Sequence, residues 1–324
     1  MSHNLQRVKA QQSRIRELLS EYNVKLYSHT YQRPEIQEIA DVLGDSLYLA
    51  MRAAEDQDAD FMLYAAVTFM AETAAVVNPE KHILIPTREA RCPMAAMAPA
   101  QIIRDYKAQY PGLPVVLYVN TLAEAKAEAD IVCTSSNAIP IVQAIAEEWG
   151  VNRVLFGPDQ NLGRWVQQQT GIETIIIPAK GHCYVHQQFT GEEVDLLKEI
   201  YPEGFVMAHP ECPQDVVERA DYVGSTGQMF KFAQNDSDHS IFLIATEVGE
   251  LTHMSRAMPT KKFIPVLDQA VCRNMKHVTL ENLLGVLENM DHWEDYAVQV
   301  NPDVAVKAKR AIDRMIEISK KLGF

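Results

Sequence analysis

The stretch Ile175-Ile176-Ile177-Pro178-Ala179-Lys180-Gly181-His182-Cys183 decides how this chain is read. Three β-branched residues in a row read as a buried strand. Pro178 stops it, and a loop bearing Gly181 delivers a cysteine. The same phrase occurs twice more: His82-Ile83-Leu84-Ile85-Pro86 leads to Cys92, and Lys262-Phe263-Ile264-Pro265 leads to Cys272. The three cysteines stand 91 and 89 residues apart. A phrase returning at a fixed period is the mark of a repeated structural unit.

Further landmarks fall into register once the chain is laid out on these cysteines. Each unit opens with an apolar strand, at 25–29, 114–120 and 205–211. A short helix follows (35–41 in the first unit) and ends at an Ala-Asp pair, closing at Asp41, Asp130 or Asp221. His29, Tyr118 and His209 each stand twelve residues before that Asp, and Tyr31, Asn120 and Glu211 ten before it. After it come Val42-Leu43-Gly44-Asp45-Ser46, Ile131-Val132-Cys133-Thr134-Ser135 and Tyr222-Val223-Gly224-Ser225-Thr226. A middle strand (61–65, 153–156, 240–245) and a helix (69–77, 162–169, 249–258) precede the last strand and its cysteine. From Asp to cysteine the distances are 51, 53 and 51 residues.

Strands alternating with helices at this spacing predict parallel sheets with helical crossovers. The expected fold class is α/β: three pseudo-threefold-related α/β/α, Rossmann-like domains, each with three mainly parallel strands. The expected boundaries are 24–113, with an N-terminal helix within 1–23 packing on the core, then 114–204 and 205–278. Residues 279–324 form C-terminal helices, at 280–290 and 303–321.

The bulk properties narrow the function classes. No apolar run approaches the ~18 residues of a membrane helix. Residues 1–19 are polar and lack a secretory apolar core, so a cytoplasmic protein is expected. Five cysteines, an odd number, fit reduced thiols better than a disulfide framework. A net charge of −13 argues against a broad nucleic-acid or anionic-membrane surface. Backbone N–H groups can still bind a small anion.

In an open parallel α/β sheet, ligands gather beyond the carboxyl ends of the strands, and the landmarks stand where strands end. Three related units can aim that edge at one centre, which would bring Cys92, Cys183 and Cys272 together. Three thiolates suit an iron–sulfur cluster or zinc. With no Cys-x-x-Cys in the chain, spacing does not choose between them. Cys133 and Cys212 sit at other repeat landmarks, where the equivalents are Gly44, Gly224 and other non-cysteine residues, and read as small residues in tight turns. Ser46, Ser135, Ser225 and Thr226 precede helical segments, where a hydroxyl caps the first turn; such helix starts also bind anions. His29, Tyr31, His186, His209 and Glu211 are candidate proton carriers. Tyr118 and Asn120 are candidates for orienting substrate by hydrogen bonds. His3, His82, His239, His253, His277 and His292 have no matched place and read as surface or structural.

Several phrases carry a resemblance: Ser28-His29-Thr30-Tyr31-Gln32, Gly44-Asp45-Ser46-Leu47, Phe69-Met70-Ala71-Glu72-Thr73, Cys92-Pro93-Met94-Ala95, Tyr118-Val119-Asn120-Thr121 and Cys133-Thr134-Ser135-Ser136-Asn137-Ala138. Gly157-Pro158-Asp159, Gly181-His182-Cys183-Tyr184-Val185-His186, His209-Pro210-Glu211-Cys212-Pro213, Gly224-Ser225-Thr226-Gly227 and Val271-Cys272-Arg273-Asn274-Met275 extend it. Over about residues 24–290 the chain resembles the bacterial quinolinate synthases of NAD biosynthesis. The resemblance implies three α/β domains around a [4Fe-4S] cluster held by Cys92, Cys183 and Cys272, with one iron open as a Lewis acid. It implies condensation of iminoaspartate with dihydroxyacetone phosphate to quinolinate, releasing phosphate and two waters. Under it Tyr31 and Glu211 shuttle protons, with His209 and His186 beside them. His29, Ser46, Tyr118, Asn120, Ser135, Ser225 and Thr226 hold carboxylates and phosphate, and His209 and Glu211 also touch substrate. An aspartate oxidase that makes iminoaspartate is the implied upstream partner; nucleic acid and membrane are not implied. Thr30 departs from the family pattern, which usually has Asn or Tyr there. The alternatives are a paralogue with another substrate, a non-catalytic iron–sulfur sensor, and a zinc hydrolase. The acid–base and anion-binding landmarks favour catalysis, since a sensor needs none of them.

Overall fold

The computed structural model describes residues 2–323, with side chains from Leu5 onward, so the side chain of His3 lies outside the described residues. The first sheet holds β1 (Val24–His29), β2 (Val42–Gly44), β3 (Phe61–Ala65) and β4 (His82–Leu84), in the order β2-β1-β3-β4. The second holds β5 (Val115–Tyr118), β6 (Ile131–Cys133), β7 (Arg153–Gly157) and β8 (Glu173–Ile176), in the order β6-β5-β7-β8. The third holds β9 (Phe205–Ala208), β10 (Tyr222–Val223), β11 (Ile241–Ala245) and β12 (Lys262–Pro265), in the order β10-β9-β11-β12. All strand pairs are parallel. This is the α/β, Rossmann-like class that the alternating pattern predicts.

Each sheet has four strands, where the pattern predicts three. The additional one is Val42-Leu43-Gly44 and its counterparts, two or three residues long and paired only to the first strand of its sheet. Two apolar residues fit a loop as well as a strand, so periodicity does not reveal them. The short helix expected at 35–41 is one turn, Pro34–Gln37. The strand 175–177 is less buried than its composition suggests. Ile175 and Ile176 are half-buried because β8 is an edge strand.

The repeat has a hydrogen-bond signature. Asp41, Asp130 and Asp221 each accept, through Oδ2, the main-chain N–H of the residue fifteen before: Leu26, Val115 and Val206, each at 2.8 Å. Each returns its own N–H to the carbonyl of that same residue, at 2.9, 3.0 and 2.9 Å. A carboxylate thus takes a strand N–H one residue before pairing with the short flanking strand begins, a donor that would otherwise be unpaired on that side. That need explains why an acid recurs at this place in all three sheets.

The chain forms two compact units. One runs to Cys92 and resumes over Cys272–Ala305; the other is Pro93–Val271 with the chain from Val306 on. In the first, the helix Ser2–Glu21 presents Ile15, Leu18 and Leu19 to a core with Leu26, Leu63 and Leu84. The helix Leu280–Leu287 adds Leu283, Val286 and Leu287 to the same core. Each such buried side chain contributes about 1.5–3 kcal/mol. Arg7 and Gln11 donate to Glu281 at 2.8 and 3.0 Å across the two helices. A 3₁₀ segment, Met290–Tyr296, takes over where the sequence suggests that helix continuing to 290. The chain then covers β4: Ile85 N donates to Tyr296 O at 3.0 Å, and Val298 N to Ile83 O at 2.8 Å.

The second unit holds the second and third sheets. Its core strands are almost wholly apolar: Val115, Val116 and Leu117 of β5, and Phe242, Leu243 and Ile244 of β11, have no exposed surface. The helix Pro302–Lys321 closes on this unit through its later turns. Asn137 Nδ2 donates to Ser319 Oγ at 2.8 Å, and Arg314 pairs with Glu148. Among the described residues no helix is long and apolar enough to cross a membrane.

Candidate active site

The three periodic cysteines sit in loops built alike. Each loop follows the last strand of its sheet. Each is anchored where a main-chain N–H opening the preceding helix donates to the residue two before the cysteine. Thr68 N reaches Ala90 O at 2.8 Å, Gln160 N reaches Gly181 O at 2.8 Å, and Val248 N reaches Ala270 O at 3.0 Å. Cys92, Cys183 and Cys272 are all partly exposed, whereas Cys133 and Cys212 are buried. Burial pushes both buried thiols up in pKa, and the charge of Glu211 raises Cys212 further. Cys212 lies in a turn, as its composition suggests, but Cys133 ends β6.

The Cys183 loop depends on two glycines. A Cβ on Gly157 would lie 2.0 Å from Ile177 O, and one on Gly181 would lie 1.9 Å from Pro158 O. Only residues without a Cβ allow the backbones this close. Asp159, fully buried, accepts Cys183 N at 3.0 Å and Leu162 N at 2.8 Å. It thereby caps the helix Gln160–Thr170 and holds the cysteine at once.

Beyond β8 and β9 the loops of the second and third sheets meet. His186 Nδ1 lies 2.6 Å from Glu211 Oε2, with side chains 2% and 3% exposed. The other ring nitrogen of His186 lies 2.9 Å from Thr246 Oγ1, just past β11. The rings of His186 and His209 stack at 4.5 Å. Tyr118 hydrogen-bonds the Glu211 side chain. Burial alone would raise the Glu211 carboxyl, but His186, His209 and Tyr118 outweigh it and hold it at about 2. Burial, and then the negative charge of Glu211, push Asp159 well up.

A motif repeats at matched places. His209 Nδ1 accepts the N–H of Glu211 at 3.3 Å, and His29 Nδ1 accepts the N–H of Tyr31 at 3.0 Å. A ring whose Nδ1 accepts carries its proton on Nε2 when neutral. In the first unit the rings of His29 and Tyr31 meet edge-on at 4.5 Å. Gln32 Nε2 donates to Met275 O at 2.9 Å, and Lys276 reaches Tyr31 O, so the Tyr31 and Cys272 loops are tied within that unit.

The hydroxyls divide. Ser225 caps the helix Thr226–Asn235 in a reciprocal box with Gln228, as expected. Thr226 is the first residue of that helix. Ser46 does not cap; Asp45 does, accepting Tyr48 N at 2.9 Å. Ser135 lies in a turn, and Asn137 takes the N-cap position of the helix Ala138–Trp149. Asp is as good a cap as Ser, so the adjacent Asp45 and Ser46 cannot be ranked from sequence; Asn137 makes no side-chain cap bond and accepts Thr134 N instead. Asn120 Oδ1 is buried without a hydrogen-bond partner among the described residues. Sequence reasoning passed over Asp159, Asn161, Thr246 and Ser136, whose hydroxyl lies 2.7 Å from Ser225 Oγ. Asp159 and Ser136 left a signal, as members of Gly157-Pro158-Asp159 and Cys133-Thr134-Ser135-Ser136-Asn137-Ala138.

One ligand atom each from Cys183, His186 and Glu211 lie within 4.8 Å of one another. Glu211 Oε1 is buried and lacks a hydrogen-bond partner among the described residues. A thiol, an imidazole and a carboxylate oxygen with spare capacity fit a transition metal.

Fold and site together define an α/β enzyme with a centre suited to a metal at the carboxyl edge of parallel sheets. The family model NadA, quinolinate synthetase A protein, matches residues 13–317. A quinolinate synthase of Methanothermobacter thermautotrophicus is 47% identical over 306 residues, covering 94% of this chain and 97% of the relative. One of Pyrococcus horikoshii is 45% identical (94% and 98% covered), and one of Thermotoga maritima 44% (94% and 98% covered). The chain belongs to the quinolinate synthase family, enzymes of NAD biosynthesis.

Proposed function

We propose that the chain condenses iminoaspartate with dihydroxyacetone phosphate to quinolinate, releasing phosphate and two waters. The observation that carries this reading is the buried chain Tyr118–Glu211–His186–Thr246 beside Cys183. Cys92, Cys183 and Cys272 would hold a [4Fe-4S] cluster, their alike loops being the support for choosing them over Cys133 and Cys212. When bound, such a cluster with an open iron supplies Lewis acidity toward a substrate oxygen.

The protein's own groups would do the proton work. Glu211, ionised in its pocket, accepts a proton, and His186 can pass one between Glu211 and Thr246. Burial keeps water from competing, which strengthens each of these contacts. Tyr31, oriented against His29, is the second proton carrier. His209 presents Nε2 because Nδ1 is engaged. His29, Tyr118, Asn120 and the hydroxyls Ser46, Ser135, Ser225 and Thr226 bind carboxylate and phosphate; the spare acceptor of Asn120 suits a substrate N–H or O–H. The domains would be 24–113, 114–204 and 205–278, with 279–324 as closing helices. The enzyme would work in the cytoplasm, downstream of an aspartate oxidase.

The test is anaerobic reconstitution with iron and sulfide, followed by incubation with oxaloacetate, ammonia and dihydroxyacetone phosphate. Quinolinate should accumulate, and broad visible absorbance should mark the cluster. A colourless zinc protein, or no quinolinate from a fully loaded one, would reject the reading.

A further inference from the structure

Two side chains at the end of β7 tie the cysteine loop and the acid–base loop to one support. Asp159 takes Leu162 N on one oxygen and Cys183 N on the other. Two residues on, Asn161 is 5% exposed. Its Nδ2 donates to the main-chain oxygen of Glu211 at 2.9 Å and to Gln187 Oε1 at 3.1 Å. These bonds grip main chain at Cys183 and Glu211 rather than the reacting atoms, so what they fix is position. Both residues stand at the start of the helix Gln160–Thr170, which is itself pinned by Gln160 N on Gly181 O. One helix start is therefore the common reference for a loop after β8 and a loop after β9, in different sheets. Small misplacements of reacting groups cost large factors in rate, and rigid elements hold such groups better than loops do.

We infer that Asp159 and Asn161 are positioning residues working as separate arms of one support: Asp159 sets the Cys183 loop, and Asn161 sets Glu211 against His186. The inference rests on the roles proposed above for Cys183 and Glu211. Its two arms predict a double dissociation.

The experiment uses the full chain, metal-free, with two readouts that need neither cluster nor substrate. One is the alkylation rate of Cys183 by iodoacetamide, followed by peptide mass with Cys92 as internal reference. The other is the imidazole ¹⁵N–¹H signal of His186 in ¹⁵N-histidine-labelled protein, which reports the 2.6 Å approach of its Nδ1 to Glu211 Oε2. Asp159→Asn keeps the shape but gives up one of two acceptors. It should speed Cys183 alkylation about fivefold or more and leave the imidazole signal in place. Asn161→Leu should leave alkylation within twofold and abolish or move the signal. In the reconstituted enzyme, Asn161→Leu should lower kcat about tenfold with KM within threefold, and Asn161→Gln should recover part of it. Should Asp159→Asn fail to fold, Asp159→Ser replaces it, since serine can cap Leu162 but is too short to reach Cys183. An unchanged signal in Asn161→Leu, unchanged alkylation in the Asp159 variant, or both readouts moving together in either variant would overturn the inference. A parent protein that makes no quinolinate rejects the functional reading instead, and leaves the two spectroscopic and chemical arms decisive.

Discussion

His186 and Glu211 come from loops on different sheets and meet at 2.6 Å with almost no exposed surface. Such a contact costs desolvation on both sides and persists only where its geometry is held. Glu211→Gln keeps the shape and removes the charge. It should keep the cluster, whose proposed ligands are Cys92, Cys183 and Cys272, and lose product formation by about a hundredfold or more, the scale of a lost acid–base group. Iron content and quinolinate yield, measured on one preparation, check both halves. An active variant would remove Glu211 from the chemistry.

The cysteines should separate cleanly. Cys92→Ser, Cys183→Ser and Cys272→Ser should each lose most iron after reconstitution. Cys133→Ser and Cys212→Ser should retain it, because their thiols are buried and held protonated, and the thiolate is the ligand. Full iron in Cys183→Ser would break the assignment.

Gly181→Ala tests the close approach beneath Cys183. The new Cβ would stand 1.9 Å from Pro158 O, so the backbone must shift, at about 1–3 kcal/mol. Iron retention should fall with it. Gly285→Ala is the control: its Cβ meets nothing within 4 Å inside the helix Leu280–Leu287, and the change should be neutral or raise the thermal midpoint. Equal losses in the two variants would show that the effect is not local.

Asp56, in the first unit, gives a pH dependence of its own. It accepts from Lys25 at 2.7 Å, Tyr27 at 2.8 Å, and the N–H groups of Asp58 and Ala59. Burial raises its carboxyl, but Lys25, Ala59 and Tyr27 outweigh that and hold it well below its ordinary value of 3.8. A depressed carboxyl contributes stability above its unfolded pKa and loses it as pH falls below that value. Asp56→Asn should therefore cost about 2–3 kcal/mol at neutral pH, the scale of hydrogen bonds to a charged group. The gap to the parent should narrow as pH drops below about 4. Denaturant midpoints across pH check it; a gap constant with pH would refute it.

The repeat was legible because its landmarks are tied to backbone needs. An acid at Asp41, Asp130 and Asp221 satisfies the N–H of a first-strand residue in each sheet, and the cysteine loops are each anchored two residues upstream. The strands β2, β6 and β10 were not legible, being too short to show a period. Asp159, Asn161 and Thr246 escaped for another reason. Their partners lie 24, 50 and 60 residues away, and no local pattern encodes a contact between loops so far apart in the chain. Asp45 in place of Ser46 shows a third limit, two equally good caps side by side.

The core around Leu26, Leu63 and Leu84 is completed by Val278, Leu280, Leu283 and Ala297. On the ribosome these partners emerge some two hundred residues after β4. Until then the N-terminal helix alone, through Ile15, Leu18 and Leu19, covers that face, and the nascent chain carries a half-dressed sheet whose exposed apolar side is open to chaperones.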